Sequence, residues 1–295
     1  MLKLLSAQAP AKINLFLRIT GRRPDGYHEL DSVFVPVSLF DHIALALRPS
    51  TDTSISLRCD TEGLGPEEKN LAVRAARGFM AEFGISGQLR IDLKKTIPFG
   101  AGLGGGSSDA GTVLRMLSQL CGFDDNARLA AIAVKLGADV PFFLDPRASR
   151  VRGIGEIIEP IARFASIPLV IAVPSVTVPT VEVFRRLKPE AWTGAAPEES
   201  IGEISAGRID QTMLVNDLAG VAMGQWPEIA RLRDRLNQAG AIAAAMSGSG
   251  GAVFGIFASP NDAENAAATI RREDQSARAF AVSTLERLTQ AAFDS

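Results

Sequence analysis

The sequence predicts an α+β protein made of two domains. Three observations carry this. Segments apolar at every second residue and segments apolar at every third or fourth residue are mixed along the whole chain. The chain has 295 residues, enough for two domains of about 150 each. Its composition, 46% hydrophobic and 22% charged, is that of a globular chain able to bury a sizeable core. The boundary falls near residue 160, giving units 1–160 and 161–295.

The elements follow in order. Residues 12–19, Lys-Ile-Asn-Leu-Phe-Leu-Arg-Ile, form a strand, and the Pro-Asp-Gly within Arg22 to Gly26 makes a turn. Val33 to Leu39, Ile43 to Leu47 and Ile55 to Arg58 are further strands. Leu71, Ala75, Phe79 and Phe83 recur every four residues and mark a helix over 70–83. Leu89 to Leu93 alternates as a strand. Ala110, Val113, Leu114, Leu117 and Cys121 lie on one helical face, with Ser107 or Ser108 as N-cap. A helix over 127–136 stops at Gly137. In the second unit, Leu169 to Val173 is a buried strand, Val181 to Leu187 a helix after Pro179, and 188–203 a loop or the foot of a helix. A helix over 229–239, a strand over 252–257, a helix over 262–272 and a strand over 279–282 complete the chain.

Composition excludes some functions. The net charge is −2 and the pI is near 5.8, and no dense basic run marks a nucleic-acid face. Only Cys59 and Cys121 occur, too few for a disulfide framework, so a reducing compartment, the cytoplasm, is expected. Met-Leu-Lys-Leu-Leu-Ser turns polar too soon for a signal peptide. The most apolar stretch, Ile167 to Val178, contains Pro168 and Pro174 and is too short to cross a bilayer. A small-molecule substrate, no nucleic acid, no membrane, and a monomer or weak homodimer are expected.

The densest chemical signal is 98–111, Pro-Phe-Gly-Ala-Gly-Leu-Gly-Gly-Gly-Ser-Ser-Asp-Ala-Gly. Glycines permit positive φ and close backbone approach, and a helix start offers free N–H groups with partial positive charge. Together they cradle phosphate. No lysine follows the glycines, so this is not a Walker A loop. Gly100, Gly102 and Gly105 match the dinucleotide pattern G-x-G-x-x-G, and Asp125 lies 20 residues on. Yet Asp125 stands just past a helix, not at the end of a second strand where a ribose-binding acid belongs. Ser107 and Ser108 at the helix start suit oxygen-rich anions and Mg²⁺.

Taken whole, Lys95 to Ala110 resembles the ATP loop of the GHMP kinases. Pro10-Ala-Lys-Ile-Asn-Leu resembles their first motif and Ser247-Gly-Ser-Gly-Gly-Ala-Val-Phe-Gly their third. Gly21-Arg-Arg-Pro-Asp-Gly-Tyr-His-Glu-Leu, Leu136-Gly-Ala-Asp-Val-Pro-Phe-Phe-Leu and Pro179-Thr-Val-Glu-Val-Phe resemble one branch of that family. That branch phosphorylates a cytidine diphospho-sugar alcohol in non-mevalonate isoprenoid synthesis. The resemblance spans nearly the whole chain, with 188–210 the least informative part. It implies an N-terminal domain related to a ribosomal-protein fold, a ferredoxin-like C-terminal domain, and use of ATP with Mg²⁺.

The resemblance also implies roles. Asp139 is the general base for the acceptor's 2-hydroxyl, and Lys12 its partner, covering charge on the attacking oxygen. Pro98, Phe99, Gly100, Ala101, Gly102, Leu103, Gly104, Gly105, Gly106, Ser107 and Ser108 hold the triphosphate. Asn70 and Leu71 line the adenine side, unless Asn70 is only a helix cap. Lys95 contacts nucleotide or lies in solvent. Tyr27, His28 and Phe184 clamp cytosine, the bland alternatives being a hairpin tip for Tyr27 and core packing for Phe184. Asn14 and Thr180 are further acceptor contacts. The metal ligands stay unassigned, His42 is read as structural, and the cysteines have no role. Ala138, where serine is frequent, and Gly251-Ala252, where a hydroxyl residue is frequent, depart from the family spelling. The rival readings are a kinase of the same family acting on mevalonate or homoserine, and a non-catalytic nucleotide binder on the same fold.

Overall fold

The structure, a computed structural model, describes residues 1–61 and 66–288. The first sheet is built on two long strands, β1 (Lys3–Arg22) and β2 (His28–Pro49), which pair antiparallel along their length. One half of β2 pairs with β4 (Gly87–Lys94), which carries the parallel strand β3 (Ser54–Cys59). The other half pairs with β5 (Ser149–Gly153), followed by β6 (Ile157–Pro160). The two strands expected at 33–39 and 43–47 are thus one. The register shifts near Pro10/Ala11, so alternation is lost there although pairing continues.

Helices α1 (Leu71–Glu82), α2 (Gly105–Cys121) and α3 (Asn126–Leu136) cover one face of this sheet. The four-residue spacing has its cause here: Ala75 and Phe79 are buried against Ile43, Leu45 and Ile91 in one cluster. Asn70 caps α1 by accepting from the Ala72 N–H at 2.9 Å, and Asp125 caps α3 through the Arg128 N–H at 3.0 Å. That role accounts for Asp125 without a ribose. The N-cap of α2 is a correction: the helix starts at Gly105 behind Gly104, so Ser107 and Ser108 lie inside its first turn.

The second sheet has the order β10-β7-β9-β8, from β7 (Pro168–Val173), β8 (Ala243–Met246), β9 (Val253–Ile256) and β10 (Arg278–Ser283), all antiparallel. Between β7 and β8 run α4 (Thr180–Arg186), α5 (Glu198–Ser205), α6 (Ala219–Gln225) and α7 (Pro227–Gln238), and α8 (Pro260–Glu273) joins β9 to β10. This is the βαββαβ ferredoxin-like plan with an enlarged first crossover. Strands β5, β6 and β8 and helix α6 escape the sequence reading. Ala-Ala-Ala-Met of β8 is buried on both faces and has no alternation to detect. A core cluster joining Ile13, Val35 and Leu103 to Leu169, Ile171 and Phe254 binds the sheets together. Leu17 of β1 bridges Asn216, and Val37 of β2 bridges Thr284.

Candidate active site

The centre of the molecule is built from β1 outward. Irregular register on both sides of Lys12 and Asn14 presents these two polar side chains to the interior, 4% and 1% exposed. The Lys12 N–H donates to the Leu103 carbonyl at 2.9 Å, joining the strand to the glycine loop. Its Nζ donates to Asn14 Oδ1 at 2.6 Å, lies 4.4 Å from the Phe34 ring centroid, and faces Asp139 Oδ2 at 3.5 Å. Asn14 is fixed in turn: its N–H donates to Ser247 Oγ at 3.1 Å and its Nδ2 to Ser32 Oγ at 2.9 Å. An ammonium with one amide, one ring and one carboxylate around it has a set direction.

Asp139 arrives from the other side. Helix α3 stops at Gly137, and the chain turns into a short 3-10 segment, Pro141–Leu144. Phe142 and Phe143 there are buried at 2% and 0%, which pins the turn, while the Asp139 side chain stays 31% exposed. The carboxylate therefore sits on an apolar ledge with one open side.

The glycine loop passes directly over this pair. Gly104 has φ +71°, and a Cβ there would come within 2.9 Å of the Phe143 ring and 3.1 Å of Lys12 Cγ. Gly102, φ +79°, lies so close to the second glycine cluster that a Cβ would stand 2.7 Å from the carbonyl oxygens of Ser247 and Gly250. The Ala252 N–H completes that junction by donating to the Ala101 carbonyl at 3.0 Å. All three family-like segments meet at this point. Behind the loop α2 runs for 17 residues, its first N–H groups free of intrahelical partners. Ser108 Oγ is buried with no hydrogen-bond partner. Along the loop Pro98, Ala101 and Leu103 are buried, Ser107 is half-buried, and Phe99 is 75% exposed. Leu71 borders it, its Cδ1 lying 3.6 Å from where a Gly106 Cβ would stand.

Lys95 does not lie in solvent. Its Nζ is bound between two buried carboxylates, Asp41 and Asp109, the latter at 2.6 Å. Asp41 also accepts from the N–H groups of Thr96 at 2.6 Å and Ile97 at 2.9 Å. Burial pushes Asp109 up to about 7, against the pull of Lys95. Burial pulls Lys95 the other way, but Asp109 and Asp41 outweigh it and hold the ammonium above its usual value. Between pH 3.8, the ordinary Asp value, and about 7 the folded chain thus keeps a proton on Asp109 that the unfolded chain releases. The stability this proton adds is complete below that window and lost as pH rises through 7. Urea unfolding of Asp109→Asn against wild type should show the variant gaining relative stability from pH 4 to 7, and a pH-independent difference would contradict this.

The turn between β1 and β2 carries Tyr27, and His28 opens β2. Tyr27 is 62% exposed, and its N–H donates to Asp25 Oδ1 at 3.1 Å. The His28 ring packs against Phe184 of α4, centroids 5.4 Å apart, and edge-on to Trp192 at 5.9 Å. Burial, with the charge of Arg22, holds His28 below the ordinary imidazole value. Thr180 Oγ1 lies 2.7 Å from Ser249 Oγ, tying the start of α4 to the second glycine cluster. His42 is exposed on the first sheet, away from these groups. Sequence reasoning missed Asp41, Asp109 and Trp192. The signals available were an aspartate amid strand residues, an aspartate directly after the serines, and a tryptophan in a chain that has only two. Among the described residues there is no cluster of His, Cys, Asp and Glu able to hold a metal by itself, and no helix long and apolar enough to cross a membrane.

Comparison with known proteins identifies the family. The family description "GHMP kinases N terminal domain" matches residues 70–145 and "GHMP kinases C terminal" matches 206–275. The 4-diphosphocytidyl-2-C-methyl-D-erythritol kinase of Geobacter metallireducens is 39% identical over 275 residues, covering 91% of this chain and 95% of that protein. The Thermus thermophilus protein of the same name is 42% identical over 263 residues, covering 89% and 91%. A crystal structure of 4-(cytidine 5'-diphospho)-2C-methyl-D-erythritol kinase superposes with a TM-score of 0.81 at 38% identity, covering 95% of this chain and 98% of that one. Identity at this level over whole chains, on a fold whose three signature loops meet around one lysine–carboxylate pair, places the chain in the 4-diphosphocytidyl-2-C-methyl-D-erythritol kinase family of the GHMP kinases.

Proposed function

We propose that the chain transfers the γ-phosphoryl group of ATP to the 2-hydroxyl of 4-diphosphocytidyl-2-C-methyl-D-erythritol, a step of non-mevalonate isoprenoid precursor synthesis. The observation that carries the reading is the Lys12–Asp139 pair, 3.5 Å apart, beneath a loop shaped for phosphate. Asp139 accepts the hydroxyl proton as that oxygen bonds to the γ-phosphorus and the bond to the leaving ADP breaks. The proton leaves through the exposed side of the carboxylate. Lys12 faces the attacking oxygen and covers the charge that builds there. The N–H groups of 98–108 and the N-terminus of α2 take the charge of the triphosphate. Transfer is direct, because the groups around Asp139 supply a base and a cation rather than a nucleophile.

Mg²⁺ fits the same end of α2. The buried, partnerless hydroxyl of Ser108 and the neighbouring Ser107 would hold it with the phosphate oxygens. Bound there, the ion neutralises phosphate charge. Asn70, Leu71 and Phe99 border the nucleotide. The acceptor's base lies against the aromatic wall of His28 and Phe184, with Tyr27, Asn14 and Thr180 as further contacts. Residues 1–160 form the ATP-binding and catalytic unit, which also lends Asn14, Tyr27 and His28 to the acceptor, and 161–295 form the unit that adds Thr180 and Phe184 on the acceptor side. The two cysteines, both free, support a reducing cytoplasm, and the enzyme works as a monomer or weak homodimer.

A panel assay tests the reading. ATP consumption is measured with the cytidine diphospho-alcohol, with mevalonate and with homoserine. Turnover is expected with the first alone. Activity confined to either of the others, or none at all, would sink the proposal.

A further inference from the structure

The acceptor side holds one residue to which the three family-like segments give no role. We infer that Trp192 is a positioning residue for the nucleobase end of the acceptor, fixing the ring of His28 that forms the base-binding wall with Phe184. The inference rests on the acceptor reading above and deepens it.

Two aromatic neighbours define the His28 ring. Phe184 lies at 5.4 Å with the planes tilted 35°, and Trp192 at 5.9 Å with the planes at 89°. A tilted neighbour and a perpendicular one together fix both where the ring lies and how it is turned. Burial also keeps His28 below the usual imidazole value, so at neutral pH its ring carries one N–H donor and one bare nitrogen acceptor. Such a pair reads the edge of a base only if the ring is held in one orientation.

Trp192 is able to hold it because its own segment is pinned. Thr193 donates to Asp217 twice, from its N–H and its hydroxyl, each at 2.9 Å. The same carboxylate accepts the Ile19 N–H of β1 at 2.7 Å. The Gly194 N–H reaches the Ile19 carbonyl at 3.2 Å. The Ala196 N–H donates to Asp31 of β2 at 2.8 Å, and Arg150 grips both oxygens of that aspartate at 2.9 Å. Asp217 and Asp31 are 7% and 1% exposed, so these ties lie away from competing water. An irregular segment is thereby fastened to the two strands that lead into and out of the Tyr27–His28 turn. The Trp192 indole nitrogen is buried with no acceptor among the described residues, so it is ring contact and not a hydrogen bond that places the side chain.

The test compares the full-length wild type with Trp192→Ala, Trp192→Leu and Trp192→Phe in steady-state kinetics, with the cytidine diphospho-alcohol and ATP varied in turn. Trp192→Ala and Trp192→Leu should raise the acceptor KM about fivefold, as expected for loss of an edge-on ring pair, with kcat within about twofold and the ATP KM unchanged. Trp192→Phe should restore the acceptor KM to within about twofold. Proton NMR supplies an independent readout, since only two histidines give imidazole signals. The His28 signal should move in the Ala and Leu variants as the indole ring current disappears. An unchanged acceptor KM, a parallel rise in ATP KM, or Leu restoring function as well as Phe would each overturn the inference. Wild type unable to phosphorylate the cytidine acceptor would instead overturn the functional reading on which it stands.

Discussion

Asp139→Asn is expected to lower kcat about 10²–10⁴-fold, the loss typical of removing a general base. The variant keeps the side-chain shape and leaves Lys12 with its bond to Asn14 Oδ1 at 2.6 Å and its contact with Phe34. The site should therefore stay assembled, and the melting temperature should stay close to wild type. The KM for ATP should hardly change, because in the proposed reaction the loop over the pair holds phosphate through its backbone. Steady-state kinetics with a melting curve separate the outcomes. A near-normal kcat would refute the base assignment. A raised acceptor KM with kcat intact would make Asp139 a binding group only.

The largest effect on stability should come from Lys95→Met. The ammonium is the cation shared by Asp41 and Asp109, and both carboxylates are buried. Removing it leaves the buried Asp41 carboxylate without a counter-charge, joined above about pH 7 by that of Asp109, a change that costs about 3–5 kcal/mol in comparable cases. Urea denaturation measures this directly. Adding Asp109→Asn to Lys95→Met should recover part of the loss above about pH 7, where Asp109 is otherwise ionised. A single-variant cost below about 1 kcal/mol, typical of an exposed pair, would show that the triad does not hold the end of β4 to the start of α2. The same variant separates the two readings of Lys95. A direct nucleotide contact predicts a raised ATP KM in protein that remains folded, whereas a purely structural tie predicts lost stability with the ATP KM intact.

The same residues show how far the sequence reads. Lys12 and Asp139 lie 127 positions apart and were named together from the family resemblance; the structure sets them 3.5 Å apart. Lys12 stands well inside β1, and Asp139 just past the stop of α3. Helices α1 and α3 were legible to within a residue or two, because a periodic apolar face and a capping side chain are both local features. Lys95 was legible only as a lysine beside the glycine loop. Its role is set by Asp41, 54 positions earlier in a strand, and Asp109, 14 positions later in a helix. The expected cytosine clamp shows the same limit. Tyr27, His28 and Phe184 could be named from their segments, but the ring that meets Phe184 is His28, and Trp192 joins it from a stretch with no motif.

By itself the sequence determined the α+β class and most of the helices, and it marked the glycine loop between its strand and helix. These rest on periodicity, glycine content or capping, which act within about a dozen residues of chain, whereas the lysine and carboxylate beside the loop were named from the family resemblance. The tertiary structure decided which groups touch: Lys12 against Asp139, Gly102 against the Ser247 cluster, Lys95 between two aspartates, and Trp192 against His28. Such contacts join residues far apart in the chain, and strand register and shared core packing bring them together. Local propensity carries no record of either.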